Sequence, residues 1–268
     1  MRIKQILHPQ KTLLEDIRMA AGIVTDILLE LKNLTKPDVS LDMLDELAER
    51  RVREAGAVPY NKGYKPDWAQ MPFPATLCCS VNHEVCHGVP RGRSLQNGDI
   101  VKYDLGIKYK TGCGDAGLTV AVGNIDNRKQ RAMRCGLQAL YEGIRVVRGG
   151  ICISSIGKAI ETYASQQGYA VIKEYGGHHI GREMHEEPWI PHTYLQENDN
   201  KFLKEGAVIC IEPMITPGKD RVAIAKSDGW TAFVTDGQPV VMFEEMLEIT
   251  KNGYEILTNH LGNKGKSI

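Results

Sequence analysis

Between residues 13 and 31 apolar side chains recur at helical spacing: Leu14, Ile17, Ala21, Val24, Ile27, Leu28 and Leu31 fall on one face. That period predicts an amphipathic helix of about five turns. Ser40 stands before Leu41 as an N-cap, and Leu44, Leu47, Ala48 and Val52 carry a second helix that stops at Gly56. Pro59, Gly63, Pro66, Pro72 and Pro74 then interrupt any regular period, so the stretch reads as an irregular loop. From 100 to 122 the chain reads as a β-hairpin that turns near Lys110–Gly112 and ends at Gly123.

The helical period returns at residues 127–147 and 154–167, the second run closed by Gly168. Helix, helix, glycine and strands thus occur twice at an offset near 112 residues, which sets Leu28 over Leu140, Leu41 over Ile153 and Gly56 over Gly168. Further strands are predicted at 207–211 and 240–249, with a loop carrying Trp230 between them. No linker of low complexity divides the chain, which predicts one α+β domain over residues 1–268, built from two similar halves.

Composition narrows the functional classes. A chain of 268 residues, 42% hydrophobic and 25% charged, builds a large core without disulfides or a structural metal. Its 33 basic and 33 acidic side chains balance, so it lacks the electrostatic footprint of a nucleic-acid or membrane-surface binder. Seven cysteines without a C-x-x-C pair fit reduced thiols. The start at Met1–His8 lacks the apolar stretch of a signal peptide, and no 18 apolar residues run together. The expectation is a cytoplasmic protein.

Asp104 and Asp115 lie eleven residues apart on the two arms of the hairpin, a spacing that predicts them opposite each other with Cβ atoms about 5 Å apart. Two carboxylates that close share a proton or grip a cation, unless they simply line a solvated face. Glu212 continues the apolar run 207–211, where a lone carboxylate needs a partner because its desolvation costs several kcal/mol. Glu244 ends the run 240–243 in a stretch that also holds Glu245 and Glu248, so it reads either as a second buried acid or as part of a polar edge. His178, His179 and His185 cluster in G-G-H-H-I-G-R-E-M-H-E-E-P, and His87 stands in a second histidine-bearing segment, 82–90. Four carboxylates and one imidazole suit a pair of Mn, Fe, Co or Zn ions better than a thiolate zinc. Cys78, Cys79, Cys86 and His83 imitate a zinc knuckle, yet at no standard spacing.

The order of Asp104, Asp115, G-H178-x-I-G-R with H185-E-E-P, I-E212-P-M, D-G-W230-T and F-E244 resembles the type I methionine aminopeptidases, from about Leu14 to Leu257. The resemblance implies a pseudo-two-fold pita-bread α+β fold, an antiparallel β-sheet covered by two helix pairs. It implies two divalent ions (Co, Mn, Fe or Zn) on Asp104, Asp115, His178, Glu212 and Glu244, with Asp115 and Glu244 bridging and Asp104 chelating one. Such a pair acidifies water, polarises the scissile carbonyl and anchors the substrate's free amine. Glu212 would also shuttle a proton, and His87 and His185 would contact the substrate amide and steady the tetrahedral intermediate. Phe73, Cys78, Met184 and Trp230 would join those two histidines around the substrate methionine.

The implied partners are N-terminal methionine peptides and nascent chains at the ribosome, met by a monomer without nucleic-acid or membrane contacts. Four positions depart from the pattern: Gln70 replaces an aromatic, Met184 a phenylalanine, His179 a glycine and Glu245 a histidine. The loop 59–72 is a few residues longer than the pattern, and Cys78 is read as an accessible thiol, with the redox sensitivity of the pocket left open by the sequence. Two rival readings remain. One is a same-fold peptidase for Xaa-Pro bonds, disfavoured because those relatives usually carry an additional N-terminal domain. The other is a non-catalytic binding protein, disfavoured because all five candidate ligands are retained.

Overall fold

Both predicted helix pairs form. In the computed structural model, which describes residues 9–262, α1 spans Pro9–Leu34 and α2 spans Leu41–Glu54. The apolar face of α1 is buried from Ile17 to Leu31. The N-cap position of α2 is Ser40 with extended backbone, but its hydroxyl makes no capping bond. Ser40 bridges Ser94 instead, and Asp42 in the first turn accepts the Gly92 N–H. The reading of 1–268 as one domain extends past both described ends, and the Met1–His8 segment lies outside the described residues.

Four antiparallel strands follow: β1 (Val58–Pro59), β2 (Cys78–Val81), β3 (Ile100–Tyr109) and β4 (Gly112–Ala121), with β3 paired to the other three. The stretch expected to be wholly irregular thus contributes the short β1. Helix α1 lies on β3 and β4, and Gly112 and Gly114 let it come close: a Cβ on Gly114 would stand 2.6 Å from the Ala20 carbonyl carbon.

The second half repeats the plan. Helix α3 (Asn127–Arg145) is capped by the Asp126 side chain, and α4 (Ser154–Gln166) ends before Gly168. Gly168 (φ 78°) and Gly56 (φ 73°) both take the left-handed conformation that leaves a helix at low cost.

The remaining strands are β5 (Ala170–Val171), β6 (Gly176–His179), β7 (Glu186–Pro191), β8 (Val208–Ile211), β9 (Met214–Thr216), β10 (Val222–Ile224), β11 (Ala232–Val234), β12 (Val241–Met242), β13 (Glu245–Thr250) and β14 (Gly253–Ile256). They form a five-stranded ladder β14-β13-β8-β6-β7, a three-stranded ladder β12-β9-β5 and the hairpin β10-β11. The loop expected around Trp230 therefore contains a hairpin. The strand expected over 240–249 is broken in two at Phe243 and Glu244. One cluster of buried side chains joins both halves, from Leu28 and Leu44 through Leu105 and Ile209 to Leu140 and Ile156.

Lys102 on β3 is buried at 1% exposure, and its Nζ donates to the carbonyls of Asn82 (3.2 Å) and Val240 (2.8 Å). Burial pulls its ammonium down from 10.5 to about 7. Between those values the unfolded chain binds a proton that the folded chain has released, so stability rises with pH across that window. The expected outcome is an unfolding free energy for the wild type that gains on the order of 4 kcal/mol relative to Lys102→Met between pH 7 and 10. Urea unfolding of the two proteins across that range measures it, and parallel pH profiles would contradict it.

Candidate metal centre

The site begins with the register of the β3–β4 hairpin. A two-residue turn, Lys110–Thr111 with Lys110 at φ 50°, pairs Tyr109 with Gly112. Asp104 consequently faces Gly117, and Asp115 faces Gly106. The two acids are diagonal neighbours on one face rather than directly opposed as expected, because the turn closes one position later than that pairing requires. The glycines opposite them leave room: a Cβ on Gly117 would lie 2.6 Å from Cε of Met242, and one on Gly106 would lie 2.7 Å from Cε of Met184.

The second half supplies the rest. His178 on β6 pairs with Cys210 on β8, and Glu212 follows two residues later just past the strand end. Met242 pairs with Met214 in one ladder, whereas Glu245 pairs with Ile211 in another. Glu244 sits at that change of sheet, its N–H donating to the Gly117 carbonyl at 2.9 Å. The break that defeats a continuous strand thus ties Glu244 to the hairpin that carries both aspartates.

These side chains converge. His178 Nε2 lies 3.6 Å from Asp115 Oδ2 and 3.7 Å from Glu212 Oε1. Its Nδ1 faces the His179 carbonyl at 3.1 Å, which places the ring proton there and leaves Nε2 as a free donor to a cation. Ligating atoms of Asp115, His178, Cys210 and Glu244 all lie within 4.8 Å of one another. Burial first, then mutual repulsion, pushes the carboxyls of Asp104, Glu212 and Glu244 well above the usual range. Among the described residues none of the four carboxylates is ion-paired with a lysine or arginine. Asp115 Oδ1 and Glu244 Oε1 are buried without a hydrogen-bond partner. Orphaned carboxylate oxygens beside an imidazole with its lone pair inward are the donor set of a divalent cation site.

Asp104, Asp115, His178, Glu212 and Glu244 line one cavity of about 540 Å³, and so do Phe73, Cys78, His87, Met184, His185 and Trp230. The His178 and His185 rings are 4.5 Å apart, and His87 lies edge-on to Tyr175 at 5.5 Å and to Trp230 at 6.2 Å. Burial lowers both His87 and His185 from 6.5 to about 4, so each is neutral at pH 7. Trp230 packs against Phe73 at 5.2 Å and donates its Nε1–H to the Met71 carbonyl.

Four expectations change. Gln70 is exposed and lies outside the cavity, whereas Trp68 packs on Trp230 at 5.0 Å. His179, expected to bear on the metals, turns its Nδ1 to the Pro188 carbonyl at 3.0 Å. Glu245 likewise faces away, accepting the Thr258 hydroxyl and lying 3.5 Å from His260 Nδ1. Cys78 is buried at 4% exposure rather than accessible, and burial pushes its thiol well up. Among the described residues Cys78, Cys79, Cys86 and His83 form no metal-binding group; Cys79 is in the core and His83 packs on Phe233.

Sequence reasoning missed Cys210, which reads as one more apolar strand residue, and Tyr64, Trp68, Tyr175 and Trp189, which lie outside its motifs. It also missed His192. That buried ring accepts the N–H groups of Gly177 (3.1 Å) and Glu212 (3.2 Å) on one Nε2, pinning the backbone beside His178 and at Glu212.

Antiparallel ladders beneath two helix pairs, around a cavity in which Asp104, Asp115, Glu212 and Glu244 gather about His178, define a pita-bread metallohydrolase. The sequence pattern of metallopeptidase family M24 matches residues 15–251, and the chain belongs to that family. It is 38% identical to methionine aminopeptidase 1 of Bacillus subtilis over 90% of this chain and 94% of that protein. Against the methionine aminopeptidase of Aquifex aeolicus it is 36% identical, covering 94% of this chain and 98% of the relative. Among solved structures, the methionine aminopeptidase of Rickettsia prowazekii superposes with a TM-score of 0.86 at 33% identity, over 94% of this chain and 98% of that one. The prolidase of Pyrococcus furiosus shares the fold at a TM-score of 0.72 and 22% identity, over 92% of this chain and 64% of that one.

Because His192 fixes two segments that present cavity side chains, His192→Ala is expected to weaken Mn²⁺ binding by about 10–100-fold, with Asn at the same position restoring part of it. Calorimetric titration of the full chain measures this, and unchanged affinity would contradict the role.

Proposed function

We propose that this protein hydrolyses the first peptide bond of chains that begin with methionine, using two divalent cations held by Asp104, Asp115, His178, Glu212 and Glu244. The observation that carries the reading is four carboxylates gathered around the His178 imidazole, with two buried oxygens unpartnered, beside an aromatic recess. When bound, the cations supply Lewis-acid activation of water and of the scissile carbonyl. The side chains do the remaining work.

Phe73, Cys78, Met184 and Trp230 form a dry, apolar wall suited to an unbranched thioether side chain. The recess lies beside the five ligand residues, so a first side chain seated in it brings the substrate's free amine to the metal site, which favours a chain end over an internal bond. His87 and His185, neutral at pH 7, each offer one ring N–H to the substrate carbonyl as its oxygen gains charge. Glu212 lines the cavity beside the recess, 3.7 Å from His178, and would pass a proton to the leaving amine.

The relatives named methionine aminopeptidase, at 36–38% identity, support this substrate. The likeness to prolidase, at 22% identity, is one of fold alone. The reading further places the enzyme in the cytoplasm, as a monomer acting on nascent chains near the ribosome. For the cytoplasm its support is that all seven cysteines are unpaired thiols; no described helix is long and apolar enough to cross a membrane.

Purified protein supplied separately with Mn²⁺, Co²⁺, Fe²⁺ or Zn²⁺ is expected to release methionine from Met-Ala-Ser and to leave Ala-Pro intact. Cleavage of Ala-Pro alone, or of neither peptide with any metal, would overturn the reading. Asp104→Ala is expected to lose both activity and cation binding. His87→Ala is expected to lower turnover about 10²–10³-fold while cation affinity stays within about twofold. Normal turnover in metal-replete Asp104→Ala would contradict the assignment.

A further inference from the structure

Most of the buried polar groups in this molecule belong to the site already described or to structural ties such as Lys102. Cys210 lies within that site but has no part in the function proposed above. Strand β8 places it directly across from His178 and two residues before Glu212, so that its side chain shares their face. It is fully buried, and its thiol lies against the Glu244 carboxylate. Its Sγ falls within 4.8 Å of ligating atoms of Asp115, His178 and Glu244. A second, independent observation points to a cation at the same place: Asp115 Oδ1 and Glu244 Oε1, on residues only 7% and 2% exposed, have no hydrogen-bond partner.

We propose that Cys210 is a further ligand of the metal centre, a thiolate that biases an otherwise oxygen-rich site toward thiophilic cations. Ligation replaces the S–H bond by an Sγ–metal bond, the proton leaving to solvent by way of the neighbouring carboxylates. Oxygen donors alone favour Mn²⁺ and comparable hard ions, whereas one sulfur shifts preference toward Co²⁺, Zn²⁺ and Cd²⁺. Three other thiols lie near enough to need separating from this one: Cys78 and Cys86 line the cavity, and Cys113 packs with Cys210 in a small buried cluster. Only Cys210 has its sulfur grouped with the ligating atoms.

The inference rests on the cation-site reading above, and cobalt spectroscopy of the full chain separates the two. Visible ligand-field bands report whether Co²⁺ occupies the five-residue site, and a near-ultraviolet sulfur-to-cobalt charge-transfer band reports thiolate ligation. The wild type is expected to show both. Cys210→Ser is expected to keep the visible bands and lose the charge-transfer band, with Cd²⁺ affinity falling about tenfold or more and Mn²⁺ affinity changing by less than about twofold. Cys210→Thr, of closer volume to a packed thiol, provides the same readouts where the serine variant fails to fold.

Visible bands without charge transfer in the wild type would show a merely packed cysteine and overturn this inference while leaving the five-residue site standing. So would a charge-transfer band that survives in the Cys210 variants, or an unchanged ratio of Cd²⁺ to Mn²⁺ affinity. Absence of the visible bands from the wild type, with Co²⁺ in excess, would overturn the site itself and the inference with it.

Discussion

Two buried carboxyl groups, Asp115 and Glu244, and two half-buried ones, Asp104 and Glu212, gather around the His178 imidazole with no lysine or arginine ion-paired to any of them among the described residues. Desolvating even one carboxylate costs several kcal/mol unless something compensates it. Everything else in the fold is consistent with that constraint. The glycines facing Asp104 and Asp115 admit the Met242 and Met184 side chains beside them, the shift of sheet at Glu244 delivers a carboxylate no regular strand places there, and His192 holds two flanking segments from behind. Without a cation the group can only retain protons, which is the direction of every shift resolved within it.

The two similar halves divide the labour. The first contributes a hairpin whose two-residue turn fixes the aspartates on one face, stiffened by α1 lying close over the glycines of β4. The second contributes a ladder in which His178, Cys210 and Glu212 share a face. The Gly117 carbonyl joins them by accepting the Glu244 N–H, and it also receives a contact from the buried His260 ring at 3.1 Å. The helix pairs stay on the outside and leave the cavity to strand ends and loops, where side chains can converge without being needed for the core.

Much of this was legible in the sequence, because the signals are local. Helical periods, Gly56 and Gly168 marked four helices to within a few residues, and the hairpin around Lys110 was plain from alternation and its turn. The five candidate ligands were legible as an ordered set of short motifs. What was hidden depends on partners distant in sequence. The diagonal placement of Asp104 and Asp115 follows from a one-position choice in the turn that the apolar pattern does not specify. Glu244 looked continuous with its strand because the Gly117 carbonyl that draws it away lies on the other half of the molecule. Glu245 and His179 looked functional by adjacency, yet strand alternation turns each to the side opposite its neighbour. Cys210 and Trp68 carried no signal, one concealed in an apolar run and the other in a proline-rich stretch without a period.

The central claim is that these carboxylates, unpaired with any lysine or arginine among the described residues, exist to hold cations. Diffraction from crystals of the full chain grown with Mn²⁺, using the anomalous signal of that ion, tests it most directly. The predicted map shows two manganese ions inside the cavity, within bonding distance of Asp104, Asp115, His178, Glu212 and Glu244. A cavity free of anomalous signal, with the ion absent or bound only at the surface, would contradict it.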